Sequence, residues 1–130
     1  MAITFLVDSV HRVVRATYTG AVTLPDLTEY SRTLLALQVL ALPQLIDARG
    51  ATLLLSEGDL EDFSALMGSL RRVFGHAPVA FVAGNHLSYL TAEHYEDLSA
   101  GYNPAFRVFE DVATAETWIV GHATGHDPGP

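Results

Sequence analysis

The chain has 130 residues, of which 49% are hydrophobic, and this is enough for one domain with its own buried core. It has no cysteine, which excludes disulfides, thiolate metal sites and cysteine nucleophiles. A formal net charge of -8 argues against nucleic acids and anionic lipid surfaces as partners. We therefore expect a soluble, cytoplasmic domain with no signal peptide, membrane span or cofactor.

Two strands are predicted at the start of the chain. Apolar and polar residues alternate over residues 3–8 and again over 13–19, which is typical of strands with one buried face. We expect them to form an antiparallel hairpin, with Gly20 ending the second strand. A first helix is predicted from Leu24 to Leu42, before Pro43. The buried face of this helix is expected to carry Leu27, Tyr30, Leu34 and Leu37.

A short strand, a turn and an exposed connection are predicted next. Leu45 and Ile46 form the strand, and residues 47–50 (DARG) are predicted to turn the chain, because aspartate and glycine favour turns. Residues 51–55 (ATLLL) would then place three leucines in an exposed connection. Such an apolar run also predicts that the protein forms a homodimer.

The second helix has clear start and stop signals. Ser56 and Asp59 have the spacing of a capping box, and Gly75 is a natural end. Arg71 is expected on the polar side of this helix. The apolar side is expected to carry Leu60, Phe63, Met67, Leu70 and Phe74.

The remaining elements alternate between strand and helix. Residues 79–83 (VAFVA) are apolar throughout, which indicates a central strand covered on both faces. A third helix is predicted over 86–100, a last strand over 106–109 and a fourth helix after Asp111. The glycine- and proline-rich residues 121–130 are predicted to be a disordered tail. The apolar stripe of the third helix is expected to be Leu87, Leu90, Tyr95 and Leu98.

The predicted order is therefore β-β-α-β-α-β-α-β-α. Helices between successive strands favour parallel pairing after the opening hairpin. The sequence thus predicts a single α/β domain over residues 1–120, with a mixed, mostly parallel five-stranded sheet and four helices.

Five segments of the sequence carry a family resemblance: GAVTLPDLTEY, LIDARGAT, SEGDLEDF, VAFVAGN and FRVFEDVATAETWI. In this order they resemble the SpoIIAA-like group of the STAS and Sec14-related (CRAL-TRIO-like) proteins, over about residues 3–119. The resemblance implies a mixed sheet with packed helices and no enzymatic activity. It implies instead a regulatory protein-interaction module or, alternatively, a carrier or sensor of a small hydrophobic ligand.

One departure from that group concerns its phosphorylation switch. The resemblance implies a serine that follows an aspartate and precedes a glycine just after the third strand. In this chain the corresponding place reads Asp47, Ala48, Arg49, Gly50, so the hydroxyl is missing. Since arginine cannot accept a phosphate, we predict an interaction module without this switch.

The residues predicted to bind a protein partner surround this place. Asp47 follows a parallel strand at the sheet edge where ligands of α/β proteins gather, and the planar donors of Arg49 suit carboxylates. Alternatively, Asp47 pairs with Arg49 or with turn amides, and Ser56 only caps the second helix. The predicted partner-binding set is Asp47, Arg49, Gly50, Ser56 and Glu57.

A second candidate set would line a ligand cleft. Aromatic residues cluster near the third helix and the fifth strand, where they could line an apolar cleft or simply pack in the core. This predicted ligand-lining set is Tyr89, Tyr95, Tyr102 and Phe106.

No catalytic residues and no metal site are predicted. His94 and Asp97 are three residues apart on a predicted helix, and we interpret them as a surface ion pair rather than as a base and its orienting acid. His122 and His126 have a spacing that suits zinc on a helix, but the glycines around them argue against a helix there.

Overall fold

The sheet determines where the other elements lie. The computed structural model describes residues 2–103 and 105–123. Over that part of the chain, five strands lie side by side in sequence order, and four helices pack on them. The elements are β1 (Ile3–Asp8), β2 (Val13–Val22), α1 (Leu24–Ala36), β3 (Gln44–Leu53), α2 (Glu57–Phe74), β4 (Val79–Ala83), α3 (His86–Ser99), β5 (Phe106–Phe109) and α4 (Val112–Ala123).

The pairing of the strands gives a mixed sheet. β1 is antiparallel to β2, whereas β2, β3, β4 and β5 pair in parallel. A helix joins each parallel pair, because the chain must return to the same end of the sheet before the next strand begins. The predicted fold class, a single α/β domain with a mostly parallel five-stranded sheet and four helices, is confirmed.

The helices are divided unequally between the two faces of the sheet. One apolar cluster joins the sheet to α1, α2 and α3 through side chains such as Leu34, Met67 and Ala92. The other cluster lies under α4, around Ala115 and Ile119. Alternate residues of the strands serve the two clusters, as the two-residue period of a strand requires: Ile46 belongs to the first and its neighbour Leu45 to the second.

The predicted turn at residues 47–50 is wrong. β3 continues through it to Leu53, still paired with β2. Thr17 pairs with Asp47 but Thr19 pairs with Gly50, so two residues of β3 face one residue of β2. This extra residue makes a β-bulge, which lets the strand take up an aspartate and a glycine without ending.

The exposed leucine run predicted at residues 51–55 is also wrong. Ala51 is buried, and Leu53 and Leu55 are half-buried against the cluster under α1–α3. Leu54 is the exposed leucine of the three, at 54% of its maximal exposure. The homodimer therefore stays a prediction, and the apolar run that suggested it is less exposed than expected.

The ends of two other elements differ from expectation. β2 does not stop at Gly20, whose φ of 65° is accommodated within the strand, and it continues to Val22. α1 ends at Ala36 rather than Leu42, because Gln38 has a positive φ of 61°, which a helix cannot include. Leu37 is consequently exposed rather than buried.

Two helix faces also differ from expectation. On α3, Leu87 and Leu90 are exposed, and the buried residues are the small Ser88, Ala92 and Ser99. On α2, Arg71 is buried rather than on the polar side, because it lies one turn after the buried Met67.

The last helix extends to Ala123, three residues beyond the predicted domain end at 120. His122 thus lies on a helix, contrary to expectation, and its imidazole contacts the Trp118 ring in a tilted arrangement, with ring centroids 4.3 Å apart. His126 and the rest of the predicted tail, residues 124–130, lie outside the described residues. Among the helices that are described, none combines the length and the hydropathy needed to cross a bilayer.

Candidate ligand-binding cavity

A cavity lies between the sheet and the three helices α1–α3. Its volume is about 80 Å³, several times the space that one buried water needs. Its wall is largely apolar and aromatic, as in sites for small organic ligands, but its volume is below the roughly 300–1,000 Å³ of most such sites, so it suits only a small or slender molecule. The residues that line it are Tyr18, Leu27, Tyr30, Ser31, Gln44, Ile46, Leu53, Leu55, Leu60, Phe63, Met67, Arg71, Val79, Phe81, Thr91, Ala92, Tyr95, Tyr102, Asn103 and Phe106.

The deep end of the cavity lies where strands β3, β4 and β5 begin. Gln44, Val79 and Phe106 lie in one row across β3, β4 and β5. All three are buried, and all three line the cavity. Leu53 is the last residue of β3 and Leu55 follows the strand, and both are half-buried. The cavity is therefore most enclosed at the row of Gln44 and less enclosed toward the end of β3.

Arg71 is the charged group of this cavity wall. Its residue exposure is only 4%. Its Nη1 donates to the carbonyl oxygens of Leu40 at 2.8 Å and Gly75 at 3.4 Å. Its Nε is buried and has no hydrogen-bond partner. Burial lowers the pKa of Arg71 below its ordinary value, yet arginine remains protonated in proteins, so a positive charge faces the cavity.

Tyrosine hydroxyls are further polar groups of the cavity wall. Tyr30 donates to the amide oxygen of Gln44 at 3.0 Å, and both side chains are buried. The hydroxyls of Tyr95 and Tyr102 are 3.0 Å apart, and that of Tyr102 is 3.1 Å from Ser64 Oγ. Burial raises the pKa of Tyr30 and Tyr95 well above the usual value, so these phenols are neutral at physiological pH.

Asn103 provides a second polar group without a partner. The residue is buried, and its side-chain Oδ1 makes no hydrogen bond. Buried polar groups in folded proteins nearly always have partners, so each exception requires an explanation. Here two exceptions, Arg71 Nε and Asn103 Oδ1, belong to residues that line the same cavity.

Edge-to-face and tilted aromatic contacts stiffen the wall. Tyr95 contacts Phe106 with ring centroids 5.0 Å apart, and it contacts Phe63 at 5.5 Å. Tyr18 contacts Phe81 at 6.0 Å. Such pairs add to the stability that burial gives, so the rings form a rigid apolar surface.

The predicted ligand-lining residues divide between wall and core. Tyr95, Tyr102 and Phe106 line the cavity. Tyr89 does not, and its half-buried ring packs against the apolar cluster instead. Arg71, Tyr30 and Gln44 also line the cavity but were not predicted to do so. The four-residue step from Met67 to Arg71 was the signal that could have revealed the arginine.

The predicted partner-binding residues do not line this cavity, and two of them, Asp47 and Arg49, pair with each other. Arg49 donates through Nε and Nη2 to both oxygens of Asp47, at 2.9 Å each, and this ion pair lowers the pKa of Asp47. Gly50 follows in the β-bulge. Ser56 Oγ accepts from the amide of Asp59 at 3.0 Å as the cap of α2, and Glu57 is exposed in the first turn.

Histidines and acids do not assemble into a metal site in the part of the chain that the structure describes. His94 and Asp97 are both exposed, and no ion pair joins these two described residues. His122 has its Nδ1 2.9 Å from the carbonyl oxygen of Trp118, within its own helix.

Comparison with known proteins adds to the description of the fold. No protein-family model matches the chain, and no curated protein matches it either. A solved structure does: an uncharacterized protein of the DUF3478 family from Shewanella loihica PV-4, described as having a SpoIIAA-like fold. The TM-score is 0.61 with 19% identity, over 91% of this chain and 93% of that one.

This likeness shows the fold. At 19% identity it supports the SpoIIAA-like part of the predicted resemblance, and the relation to Sec14-type proteins stays a prediction. A fold alone does not determine an activity, so the function must be argued from the cavity and the surface.

Proposed function

We propose that this protein binds a small apolar ligand in the cavity between the sheet and α1–α3, as a carrier or sensor. The observation that carries the proposal is an apolar cavity whose wall contains a buried guanidinium with an unpartnered Nε. Leaving such a group unsatisfied costs roughly 1–3 kcal/mol or more. A bound molecule with a polar group would offset that cost.

The less enclosed end of the cavity gives a route for the ligand. Most of the lining residues are buried, and the half-buried ones are Tyr95 and Tyr102 together with four near the end of β3, the first half of α2 and α3: Leu53, Leu55, Phe63 and Thr91. Small side-chain movements of these residues, on timescales of nanoseconds to microseconds, are sufficient to admit a slender molecule. We therefore expect entry near the end of β3 and the start of α2.

Native mass spectrometry of the protein purified from its own host tests this proposal. A non-covalent adduct that is lost on denaturation and recovered by organic extraction is the expected result. Ala92→Leu, which fills space in the cavity wall, should lose the adduct. Ala65→Leu, an equal change at an exposed position of α2, should keep it. Repeated absence of an adduct from the wild type, or equal adducts in both variants, would overturn the proposal.

A regulatory interaction surface is the second candidate function. Its supporting observation is that Arg49, Leu54 and Glu57 expose a cation, a large apolar side chain and an anion within one short stretch of the chain. Such mixed surfaces are typical of the rim and core of transient interfaces. The same stretch carries Leu53 and Leu55 on the cavity wall, so a ligand that moves these leucines would alter the surface.

Arg49→Glu and Glu57→Lys test this surface, with Glu61→Lys as a charge-matched control at another exposed position of α2. Each variant is first confirmed as folded by circular dichroism. We expect the first two to lose an interaction that wild type and control make in extracts of the native host. If both variants keep every interaction, the partner surface lies elsewhere.

A further inference from the structure

Two arginines of this chain use their guanidinium groups differently. Arg49 presents its Nε and Nη2 edge to Asp47 and binds both carboxylate oxygens, at 2.9 Å each. Arg71 uses Nη1 for the carbonyl oxygens of Leu40 and Gly75, and its Nε has no partner. In Arg49, Nε donates to a carboxylate, whereas the same atom of Arg71 has no partner.

Arg71 also lacks a counter-ion. No Asp or Glu of the described chain has a carboxylate oxygen within 4.0 Å of its guanidinium nitrogens. The carbonyl oxygens of Leu40 and Gly75 accept hydrogen bonds but do not neutralise the charge. Buried charges in proteins are normally paired, because removing them from water is costly. The missing partner is thus an anion that the chain does not supply.

We infer that the ligand of this cavity is an amphiphile with one carboxylate head, which pairs with Arg71, and an apolar tail, which lies along the aromatic and aliphatic wall. This inference rests on the proposed function and names its ligand class. A carboxylate suits the planar, fork-like donors of an arginine better than an alcohol or an amine does.

A structural role of Arg71 explains only part of these contacts. The bond from Nη1 to Gly75 caps the end of α2, and a basic residue there complements the helix dipole. That role requires Nη1 but leaves Nε without a function.

The net charge of -8 repels anions at long range, so added salt should favour carboxylate binding by screening that repulsion.

Octanoate and 1-octanol test the inference, since they share a tail and differ in the head. The dissociation constant of each is measured with the 130-residue chain by isothermal titration calorimetry. We expect octanoate to bind at least about tenfold more tightly than 1-octanol to the wild type, because a charge-assisted pair adds to the burial of the tail. On binding, the Nε–H resonance of Arg71 should shift in a ¹⁵N spectrum.

Two variants assign the preference to Arg71. Arg71→Met keeps an unbranched apolar stem without the guanidinium and should remove the preference for octanoate, while the affinity for 1-octanol stays within about threefold. Arg71→Lys keeps the charge without the fork and should retain part of the preference. If Arg71→Met does not fold, the lysine variant and the Nε–H shift still decide the question.

The outcomes separate this inference from the proposed function. Equal binding of both probes to the wild type, or an unchanged preference in Arg71→Met, would overturn the carboxylate assignment and leave the apolar cavity standing. Binding of neither probe would count against the proposed function itself. A preference for octanoate that disappears with Arg71 supports both.

Discussion

Gly84, directly after β4, lies against the backbone of Arg49 in the bulged part of β3. A Cβ atom at position 84 would come within 2.6 Å of the Arg49 Cα, a distance that real Cβ contacts essentially never show. The Arg49 backbone cannot give way easily, because its neighbours on both sides are paired: Asp47 and Gly50 with β2, and Ala48 with β4. This close approach fixes where the bulge sits, and with it the orientation of the Asp47–Arg49 ion pair.

Gly84→Ala should therefore lower the free energy of unfolding by about 1–3 kcal/mol, the usual cost of overpacking. Urea denaturation followed by circular dichroism measures it. Gly58→Ala is the control: the site is an exposed position in the first turn of α2 with room for a methyl group, and alanine there should be neutral or stabilising. Equal effects of the two substitutions would show that the contact with Arg49 is unimportant.

Ser56→Ala should lower the free energy of unfolding by about 1 kcal/mol, because the amide of Asp59 loses its acceptor at the start of α2. Ser69→Ala, at an exposed interior position of the same helix, should not destabilise the protein. Thermal unfolding of both variants checks this. A fully stable Ser56→Ala protein would mean that the serine serves something other than the cap.

We expect the ionisation of Asp8 to make the stability of the protein depend on pH in the acid range. Its carboxylate accepts from the amide of His11, from the His11 ring and from Arg15 Nε, and these bonds hold its pKa well below the ordinary 3.8. The stabilisation by this carboxylate is fully present above the pKa that Asp8 has in the unfolded chain. It declines as the pH falls through the lower pKa that Asp8 has in the folded protein.

The Asp8→Asn variant should therefore melt below the wild type at pH 7, and the gap should narrow as the pH is lowered beneath about 4. Melting temperatures measured by circular dichroism from pH 7 to pH 2 check this. Asp62→Asn, at an exposed acid of α2, serves as the control. A gap for Asp8→Asn that does not change with pH would contradict the account.

The order of strands and helices could be predicted because each element has a strong period and a stop signal. The path of β3 could not. Asp47 and Gly50 are turn residues by local preference, but the pairing of β3 with β2 and β4 outweighs that preference and converts the expected turn into a bulge. Such non-local pairing leaves no mark in the sequence of β3 itself.

The candidate site was harder to predict for a related reason. Arg71 lies on the buried face of α2, four residues after Met67, but a charged residue is normally assigned to the exposed face. Tyr95, Tyr102 and Phe106 were singled out as aromatic residues near one another along the chain. Tyr30 and Gln44 belong to the same cavity because α1 packs on β3, a contact that the order of residues along the chain does not reveal.

The central claim, that the cavity accepts an apolar ligand, has two reporters in the chain. Met67 is buried and lines the cavity. Trp118, the sole tryptophan of the sequence, packs on the opposite face of the sheet, against Phe109. Titration with octanoate and with 1-octanol is followed by the ¹³C methyl resonance of Met67 and the indole N–H of Trp118. The account predicts a saturable shift at Met67 and none at Trp118. An unchanged Met67 methyl with both probes, or a shift confined to Trp118, would contradict it.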